Sequence, residues 1–283
     1  MKFKVLGSGG CTSIPRATCS CRVCKEAREK GTPYSRFGCS LFLEDINLLI
    51  DTPEDINIAL NKFDVKSIDN VLYSHWHPDH TLGMRVFEQI KINWCEISVG
   101  IKNKKPINVF GLDYVIEDIR SIRNKFGPYV ENYEKNYNLI KINVVDRELN
   151  IDDIKITIIP VSNKLSSVFV FEQKDKKVIY APCNVKPFPD EDLFNNADLL
   201  IIGDTITSEV AKDNFIIGND NKMRKSMFVM NEIVELKKQY NVDKVIMTHL
   251  DEDWGLSYDD YLEKAKNYDN IEFAYDGLDI EIC

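Results

Sequence analysis

The sequence predicts an α/β fold in which two mixed β-sheets pack face to face and helices cover their outer faces. Short hydrophobic runs typical of buried strands recur through both halves of the chain, and amphipathic segments with helical spacing lie between them. Each half places strands first and helices later, as a sandwich with outer helices would, whereas a doubly wound sheet alternates more regularly. The 283 residues show no repeat and no low-complexity linker, so we expect a single domain over residues 1–283.

The elements of the first half follow from hydrophobic pattern and turn residues. We predict, in chain order, a strand at 3–6, a charged helical segment at 25–30, a hairpin of 37–43 with 47–51, a helix at 55–62, a strand at 71–74, a helix at 81–91, and short strands around one helix near 116–125.

The second half is predicted in the same way. It contains a strand at 154–161, a hairpin of 168–172 with 177–181, a strand at 199–203, a helix at 227–240, a strand at 244–247, a helix at 257–267 and a strand pattern over 271–282.

The overall charge restricts the class of partner. The net charge is −9 and the pI is near 5.1, which argues against general nucleic-acid binding and against a membrane-surface protein. A small anionic substrate is still compatible, because a metal supplies local positive charge. No apolar run of membrane-spanning length occurs and the N-terminus lacks a signal-peptide pattern, so we expect a cytoplasmic protein. We leave open whether it forms a homodimer.

One stretch carries most of the predicted chemistry. His75, His77 and His80 are three of the four histidines in the chain, and Asp79 lies among them, directly after a strand pattern. Imidazole and carboxylate donors at this density suit a divalent metal such as zinc, iron or manganese. The alternative is a chance cluster on a surface loop, which the specific spacing H-x-H-x-D-H disfavours.

A second cluster lies near the N-terminus, where Cys19, Cys21 and Cys24 form a C-x-C-x-x-C pattern. In a reducing compartment such thiols favour metal binding over disulfides. Three thiolates and a fourth ligand would make a structural zinc site without an open position. The alternative is a set of free thiols.

Several motifs together resemble the metallo-β-lactamase superfamily. They are the glycine turn Gly7-Ser8-Gly9-Gly10 after the first strand, Leu49-Ile50-Asp51, His75-Trp76-His77-Pro78-Asp79-His80, Thr248-His249 and Tyr275-Asp276-Gly277. The cysteine cluster is similar to the branch that contains the phosphoribosyl cyclic phosphodiesterase of the carbon–phosphorus lyase pathway and the coenzyme PQQ biosynthesis protein B. The resemblance implies an αββα sandwich.

The resemblance also implies a two-metal centre. His75 and His77 would bind the first metal, and Asp79, His80 and His249 would bind the second. Asp51 would support one of these ligands without touching the metal. A metal-bound water would be the nucleophile, because two cations lower its pKa and stabilise developing charge. Asp79 is the candidate catalytic residue, which would orient or deprotonate that water.

Two expected ligands of that centre are replaced in this chain. Ser162-Asn163 stands where the family has a third histidine, and Ala181-Pro182-Cys183-Asn184 stands where it has a bridging aspartate. Cys183 is either a metal ligand in place of that aspartate or a buried thiol, and we interpret Asn163 and Asn184 as turn residues. For the cysteine site, the fourth ligand would come from Glu252, Asp253 or the remote Cys39.

Three functions remain open from the sequence. The first is a metal-dependent hydrolase of a phosphodiester or a cyclic phosphate. The second is an iron-dependent oxidative enzyme in peptide or cofactor maturation, as the PQQ branch implies. The third is a non-catalytic relative that keeps the fold and binds metal.

Overall fold

The computed structural model describes residues 1–162 and 164–283, and its regular elements run through the whole chain. The strands are β1 (Lys2–Gly7), β2 (Ser40–Leu43), β3 (Leu48–Ile50), β4 (Asn70–Leu72), β5 (Ile107–Gly111), β6 (Arg123–Asn124), β7 (Gly127–Pro128), β8 (Ile140–Val144), β9 (Glu148–Ile151), β10 (Ile154–Pro160), β11 (Ser167–Gln173), β12 (Lys176–Ala181), β13 (Leu199–Ile202), β14 (Thr205–Ile206), β15 (Phe228–Val229), β16 (Lys244–Met247), β17 (Ile271–Phe273) and β18 (Asp279–Glu281).

Helices connect these strands on the outside of the sheets. The α-helices are α1 (Arg22–Lys30), α2 (Ile56–Lys62), α3 (Pro78–Thr81), α4 (Val86–Lys91), α5 (Trp94–Ser98), α6 (Asp113–Ser121), α7 (Tyr129–Glu131), α8 (Met230–Gln239) and α9 (Tyr258–Ala265). Short 3₁₀ segments lie at Glu44–Ile46, Leu82–Arg85, Asp192–Phe194, Lys212–Asn214, Lys222–Lys225 and Glu252–Trp254, and a π turn lies at Asn132–Asn136.

Two seven-stranded mixed sheets form the body of the molecule, which confirms the predicted fold class. The first has the order β18-β1-β2-β3-β4-β5-β8, and the second has the order β17-β16-β13-β12-β11-β10-β9. In the second sheet, β12, β13, β16 and β17 run parallel to one another. Their carboxyl ends therefore meet at one edge, and β3, β4 and β5 of the first sheet are also mutually parallel.

The main core lies between the two sheets. Phe3 of β1 packs edge-to-face on Phe171 of β11, with ring centroids 5.5 Å apart. The buried side chains of both inner faces and of the helices over the first sheet form one cluster, and α8 and α9 cover the outer face of the second sheet with another. Burial of this apolar surface is the main stabilising contribution to the sandwich.

The prediction of one continuous helix at 81–91 is wrong, because the segment is interrupted. The structure has α3, a 3₁₀ turn and α4 in its place. The Gly83 N–H donates to the Thr52 carbonyl at 2.8 Å instead of to a helical carbonyl. A Cβ at Gly83 would also stand 1.9 Å from the Pro53 carbonyl oxygen, so this close approach to the next loop interrupts the helix.

The structure differs from the predicted elements at three further places. The helix predicted at 227–240 begins at Met230, because Phe228 and Val229 pair with β14. The pattern at 271–282 divides into β17 and β18, which belong to different sheets. Between residues 92 and 106 the structure adds α5, whose side chains are too exposed to give a hydrophobic pattern.

Within residues 1–162 and 164–283, none of the helices is both long enough and apolar enough to cross a bilayer.

Candidate metal centre

The predicted ligands lie on loops that begin where strands end. His75, His77, Asp79 and His80 follow β4, Cys183 follows β12, and His249 follows β16. Loops at the carboxyl ends of parallel strands meet at a common edge, so residues far apart in sequence converge there. The structure therefore brings together the motif that the sequence identified and the two ligands that follow much later in the chain.

A first group of donor atoms consists of His75, His77 and Cys183. One nitrogen of each imidazole and the Cys183 Sγ all lie within 4.8 Å of one another. The second group consists of His80, Cys183 and His249, with the same upper limit between its donor atoms. Cys183 belongs to both groups, which places its sulfur at the position where the two predicted metal sites meet.

Asp79 lies beside the second group, outside the set of donor atoms that all lie within 4.8 Å of one another. Its Oδ2 lies 3.3 Å from His80 Nε2 and 3.4 Å from His249 Nε2. With Asp79 counted through its contacts with both imidazoles, the second position would have four donors (one carboxylate, two imidazoles and one thiolate), whereas the first would have three. Asn163, at the place of the family's third histidine, lies outside the described residues.

Hydrogen bonds behind the histidines determine which ring nitrogen carries the proton. Ser74 Oγ donates to Asp51 Oδ2 at 2.6 Å, so it accepts from His75 Nδ1 at 2.9 Å. His80 Nδ1 donates to the same Asp51 oxygen at 2.8 Å. When each ring is neutral, its Nε2 lone pair is therefore directed away from these partners, as ligation requires.

Asn184 contributes to the first group from the side. Its Nδ2 amide donates to Cys183 Sγ at 3.1 Å and to His77 Nδ1 at 3.3 Å. The prediction of Asn184 as a turn residue agrees with its backbone, which has a φ of 53°. Its amide also contacts two candidate ligands, a contact that the turn prediction does not include.

A metal fits this donor set because three of its ring nitrogens make no hydrogen bond among the described residues. Among the described residues, the Nε2 atoms of His75, His80 and His249 are buried and make no hydrogen bond. Each unsatisfied buried polar atom costs about 1–3 kcal/mol. Three such nitrogens around one thiol therefore indicate that a metal ion binds between them.

The pKa values around the centre favour a thiolate. Burial would raise the pKa of Cys183, but the charge of His249 and the neighbouring imidazoles of His75 and His77 lower it well below its usual value. Burial lowers the pKa of His75, so that ring is neutral at neutral pH. Burial also opposes ionisation of Asp79, yet His249 and His80 hold its pKa well below the usual range.

Left-handed backbone conformations surround the centre. Asp51, Asn184, Asp204 and His249 have φ values of 63°, 53°, 53° and 53°. All four directly follow a strand or lie within three residues of its end. Such conformations are sparsely populated outside glycine and concentrate at functional sites, where the surrounding structure fixes them.

Two glycines allow the loops to approach the centre closely. A Cβ at Gly203 would stand 2.0 Å from the Pro182 carbonyl oxygen and 2.6 Å from His249 Cβ. A Cβ at Gly10 would stand 1.9 Å from Asp251 Oδ1. The glycine turn after β1 therefore has a spatial reason, because it packs against the segment that carries His249.

The N-terminal cysteines also converge. The sulfurs of Cys19, Cys21 and Cys24 and one carboxylate oxygen of Glu252 lie within 4.8 Å of one another. Cys21 is the N-cap of α1, and its sulfur is 2.8 Å from Glu252 Oε1. Glu252 is 1% exposed, and its second oxygen, Oε2, has no hydrogen-bond partner among the described residues.

Of the three candidates for the fourth ligand, the geometry selects Glu252. Cys39 lies in the core, with its sulfur 3.5 Å from the Tyr180 hydroxyl. Asp253 lies 3.8 Å from the Arg16 guanidinium and is absent from the cluster of donor atoms found among the described residues. A carboxylate thus stands with the three thiols, as a tetrahedral site would require.

Two further residues around the centre are marked by their position beside a histidine in the sequence. Ser74 directly precedes the histidine motif, and Asp251 follows His249 by two residues. Asp204 could be found only from the structure, where its Oδ2 accepts from the Asn184 N–H at 3.1 Å. Burial and the Cys183 thiolate raise the pKa of Asp204 to about 7.

Comparison with known proteins then decides the family. Residues 46–250, more than half of the chain, match the family described as the beta-lactamase superfamily domain. The chain belongs to the metallo-β-lactamase superfamily.

Three solved structures share the fold over nearly the full length of this chain. A zinc-bound PqqB from Methylobacterium extorquens has a TM-score of 0.75 at 16% identity, with 100% of both chains covered. A diphosphatase from the PhnP family has a TM-score of 0.69 at 18% identity, covering 99% of this chain and 96% of its own. The short form of human tRNase Z has a TM-score of 0.59 at 17% identity, with 100% of both chains covered.

A search of curated protein sequences found no significant match.

Proposed function

We propose that this metallo-β-lactamase member is a metal-dependent hydrolase of a small phosphodiester or cyclic phosphate, with a two-metal centre joined by the Cys183 thiolate. The observation that carries the proposal is the position of Cys183 in both groups of donor atoms. The fold shared with a PhnP-family diphosphatase supports the substrate class.

The two metal positions would differ in their ligands. Asp79, His80, His249 and Cys183 would hold one metal with four donors, and His75, His77 and Cys183 would hold the other with three. Zinc sites with three protein donors keep a position for water or substrate. The first position is therefore the one at which an oxygen of the substrate would be bound.

When bound, the metals would supply an activated water and neutralise the charge that develops on the phosphate. The protein's own groups prepare the site for this. Ser74 and Asp51 hold His75 and His80 as Nδ1–H tautomers. Asp79 would act as an ionised ligand that orients the water and does not deprotonate it, because a carboxylate with so low a pKa is a weak proton acceptor.

The Cys183 thiolate has a further consequence for the choice of metal. Sulfur is a soft donor, and together with four imidazoles it favours zinc or ferrous iron over manganese or magnesium. We therefore propose zinc as the active-site metal for hydrolysis.

A second candidate function rests on the first position alone. Two imidazoles and one thiolate with an open side are a donor set that ferrous iron also accepts in oxygen chemistry. The resemblance to the PQQ branch implies an oxidative role in peptide or cofactor maturation, and the fold is shared with a zinc-bound PqqB. Bound iron with oxygen consumption would support this function, and bound metal without either activity would support a non-catalytic relative.

For the N-terminal cluster we propose a structural zinc held by Cys19, Cys21, Cys24 and Glu252. The sulfurs of Cys19, Cys21 and Cys24 lie 3.5, 2.8 and 3.7 Å from Glu252 Oε1, and this compact set of donor atoms fits a metal. Four protein donors fill a tetrahedron, so this site would contribute to folding and not to chemistry.

The test is metal analysis combined with hydrolysis of bis(p-nitrophenyl) phosphate and of a ribose cyclic phosphate by the purified chain. We expect zinc and diesterase turnover, with loss of at least 100-fold in His80→Ala and Cys183→Ala. Cys95→Ala, at an exposed cysteine in α5, is the matched control and should retain activity. Turnover that survives in His80→Ala would show that this centre is not the catalytic one.

A further inference from the structure

The segment of residues 208–226 is weakly attached to the body of the molecule. Within this fully described segment only Ile217 is buried. Ile217 packs in a small cluster with Ile206, Met227 and Trp254. Such a segment has few buried contacts and should open locally at low cost, unless another attachment holds it.

Lys212 provides that attachment. Its Nζ lies 2.6 Å from Glu252 Oε1 and 3.2 Å from the Cys19 sulfur. The ammonium therefore touches two of the four atoms that would hold the structural zinc. The backbone is close as well, because a Cβ at Gly255 would stand 3.6 Å from Lys212 Cα.

The charge of the cysteine site explains why a cation is needed there. Three thiolates and one carboxylate carry four negative charges, and a zinc ion neutralises two of them. A site with a net charge of about −2 is costly where Glu252 is buried, unless cations lie beside it. Lys212 is in direct contact, whereas Arg16 Nη1 lies 3.9 Å from Glu252 Oε2.

We propose that Lys212 is the outer cation of the Cys19–Cys21–Cys24–Glu252 metal site, and that metal bound there fastens residues 208–226 to the loop that follows His249. The inference rests on the structural-zinc part of the proposed function. In the metal-bound protein, Lys212 donates to the ligand atoms of Glu252 and Cys19. Loss of the metal frees these ligand atoms from their fixed arrangement and weakens the attachment.

Two roles are conceivable for the Lys212 ammonium, and they predict opposite changes in metal affinity when Lys212 is replaced. An ammonium that merely substitutes for a missing metal would compete with it, and its removal would strengthen metal binding. An outer cation stabilises the metal-bound anion, and its removal weakens binding. Partners of metal ligands typically change metal affinity 10–100-fold, so the sign of the effect is well within reach.

The experiment uses cobalt(II) as the metal probe in the full chain carrying Cys183→Ala, so that thiolate-to-cobalt absorption reports the cysteine site alone. Affinity is measured by competition with a chelator for the parent, Lys212→Met, Lys212→Arg and Lys222→Met. Lys222 is exposed in the same segment and is the matched control. Limited proteolysis of each protein, with and without zinc, reports the attachment of residues 208–226.

We expect Lys212→Met to lower cobalt affinity 10–100-fold, Lys212→Arg to restore it to within about fivefold, and Lys222→Met to leave it unchanged. Zinc should protect the segment from cleavage in the parent but not in Lys212→Met. Equal or tighter cobalt binding by Lys212→Met would overturn the proposal, as would equal protection by zinc. Absence of the thiolate band in the parent would refute the metal site itself, and this proposal with it, without bearing on the histidine centre.

Discussion

Replacing Asp51 by asparagine should disable the histidine centre although Asp51 touches no metal. Asp51 Oδ1 accepts from the Ser74 N–H at 2.8 Å, and Oδ2 accepts from Ser74 Oγ and His80 Nδ1. All of these groups are fully buried. In the variant, the fixed backbone donor of Ser74 requires the amide oxygen at the Oδ1 position. The amide NH₂ must then occupy the place of Oδ2, facing His80.

This rearrangement changes the tautomer of His80. An NH₂ group at that position can only donate, so a neutral His80 ring must accept at Nδ1 and carry its proton on Nε2. The Nε2 lone pair that the metal requires is thereby lost. We expect zinc affinity to fall 10–100-fold, which is about 1.4–2.7 kcal/mol, and diesterase activity to fall with it. The metal-free protein should lose about 2–4 kcal/mol of unfolding free energy as the charged acceptor is removed.

The assay combines zinc competition titrations at two pH values with long-range nitrogen–proton NMR of the imidazole rings, which distinguishes the tautomers. Ser74→Ala is the matched comparison, because it frees His75 while His80 keeps its carboxylate. Zinc affinity within threefold of the parent in Asp51→Asn, together with a His80 ring still protonated on Nδ1, would refute the reasoning.

Three other predictions follow from the same centre. Cys183→Asp should retain metal binding but shift the preference from zinc toward manganese, as measured by competitive loading, and an unchanged preference would show that sulfur is not a ligand. Burial would lower the pKa values of His80 and His249, but neighbouring acidic groups raise them in the metal-free protein. Zinc must therefore displace their protons, and its affinity should rise with pH with a log–log slope of about two until those pKa values are reached. A slope near zero in titrations at pH 6–8 would contradict this. Gly10→Ala should cost about 1–3 kcal/mol in chemical unfolding, because the new Cβ would stand 1.9 Å from Asp251 Oδ1, and an unchanged midpoint would contradict the packing.

The sequence was sufficient for the fold, and it also identified most of the candidate ligands that the structure brings together, because both depend on local pattern. Alternating and continuous apolar runs specify strands that are then buried, and the histidine motif lies next to one of them. The helix predicted at 81–91 failed because a tertiary contact, Gly83 against Pro53, overrides local helical preference. Such a contact between separate loops leaves no periodic signal.

The role of Cys183 illustrates the same limit at the site. Its two interpretations from the sequence, ligand or buried thiol, could not be separated because both predict burial. Only the convergence of β4, β12 and β16 puts its sulfur among four imidazoles. The choice of Glu252 over Asp253 likewise depended on which of two adjacent carboxylates faces the thiols.

The most direct test of the two-metal centre is anomalous diffraction from crystals of the zinc-loaded protein. We predict two zinc peaks about 3.5–4 Å apart at the histidine centre, each about 2.3 Å from the Cys183 sulfur, and a third peak among Cys19, Cys21, Cys24 and Glu252. A single peak at the histidine centre, or two peaks with the Cys183 sulfur bound to neither, would contradict the bridging thiolate on which the proposed function rests.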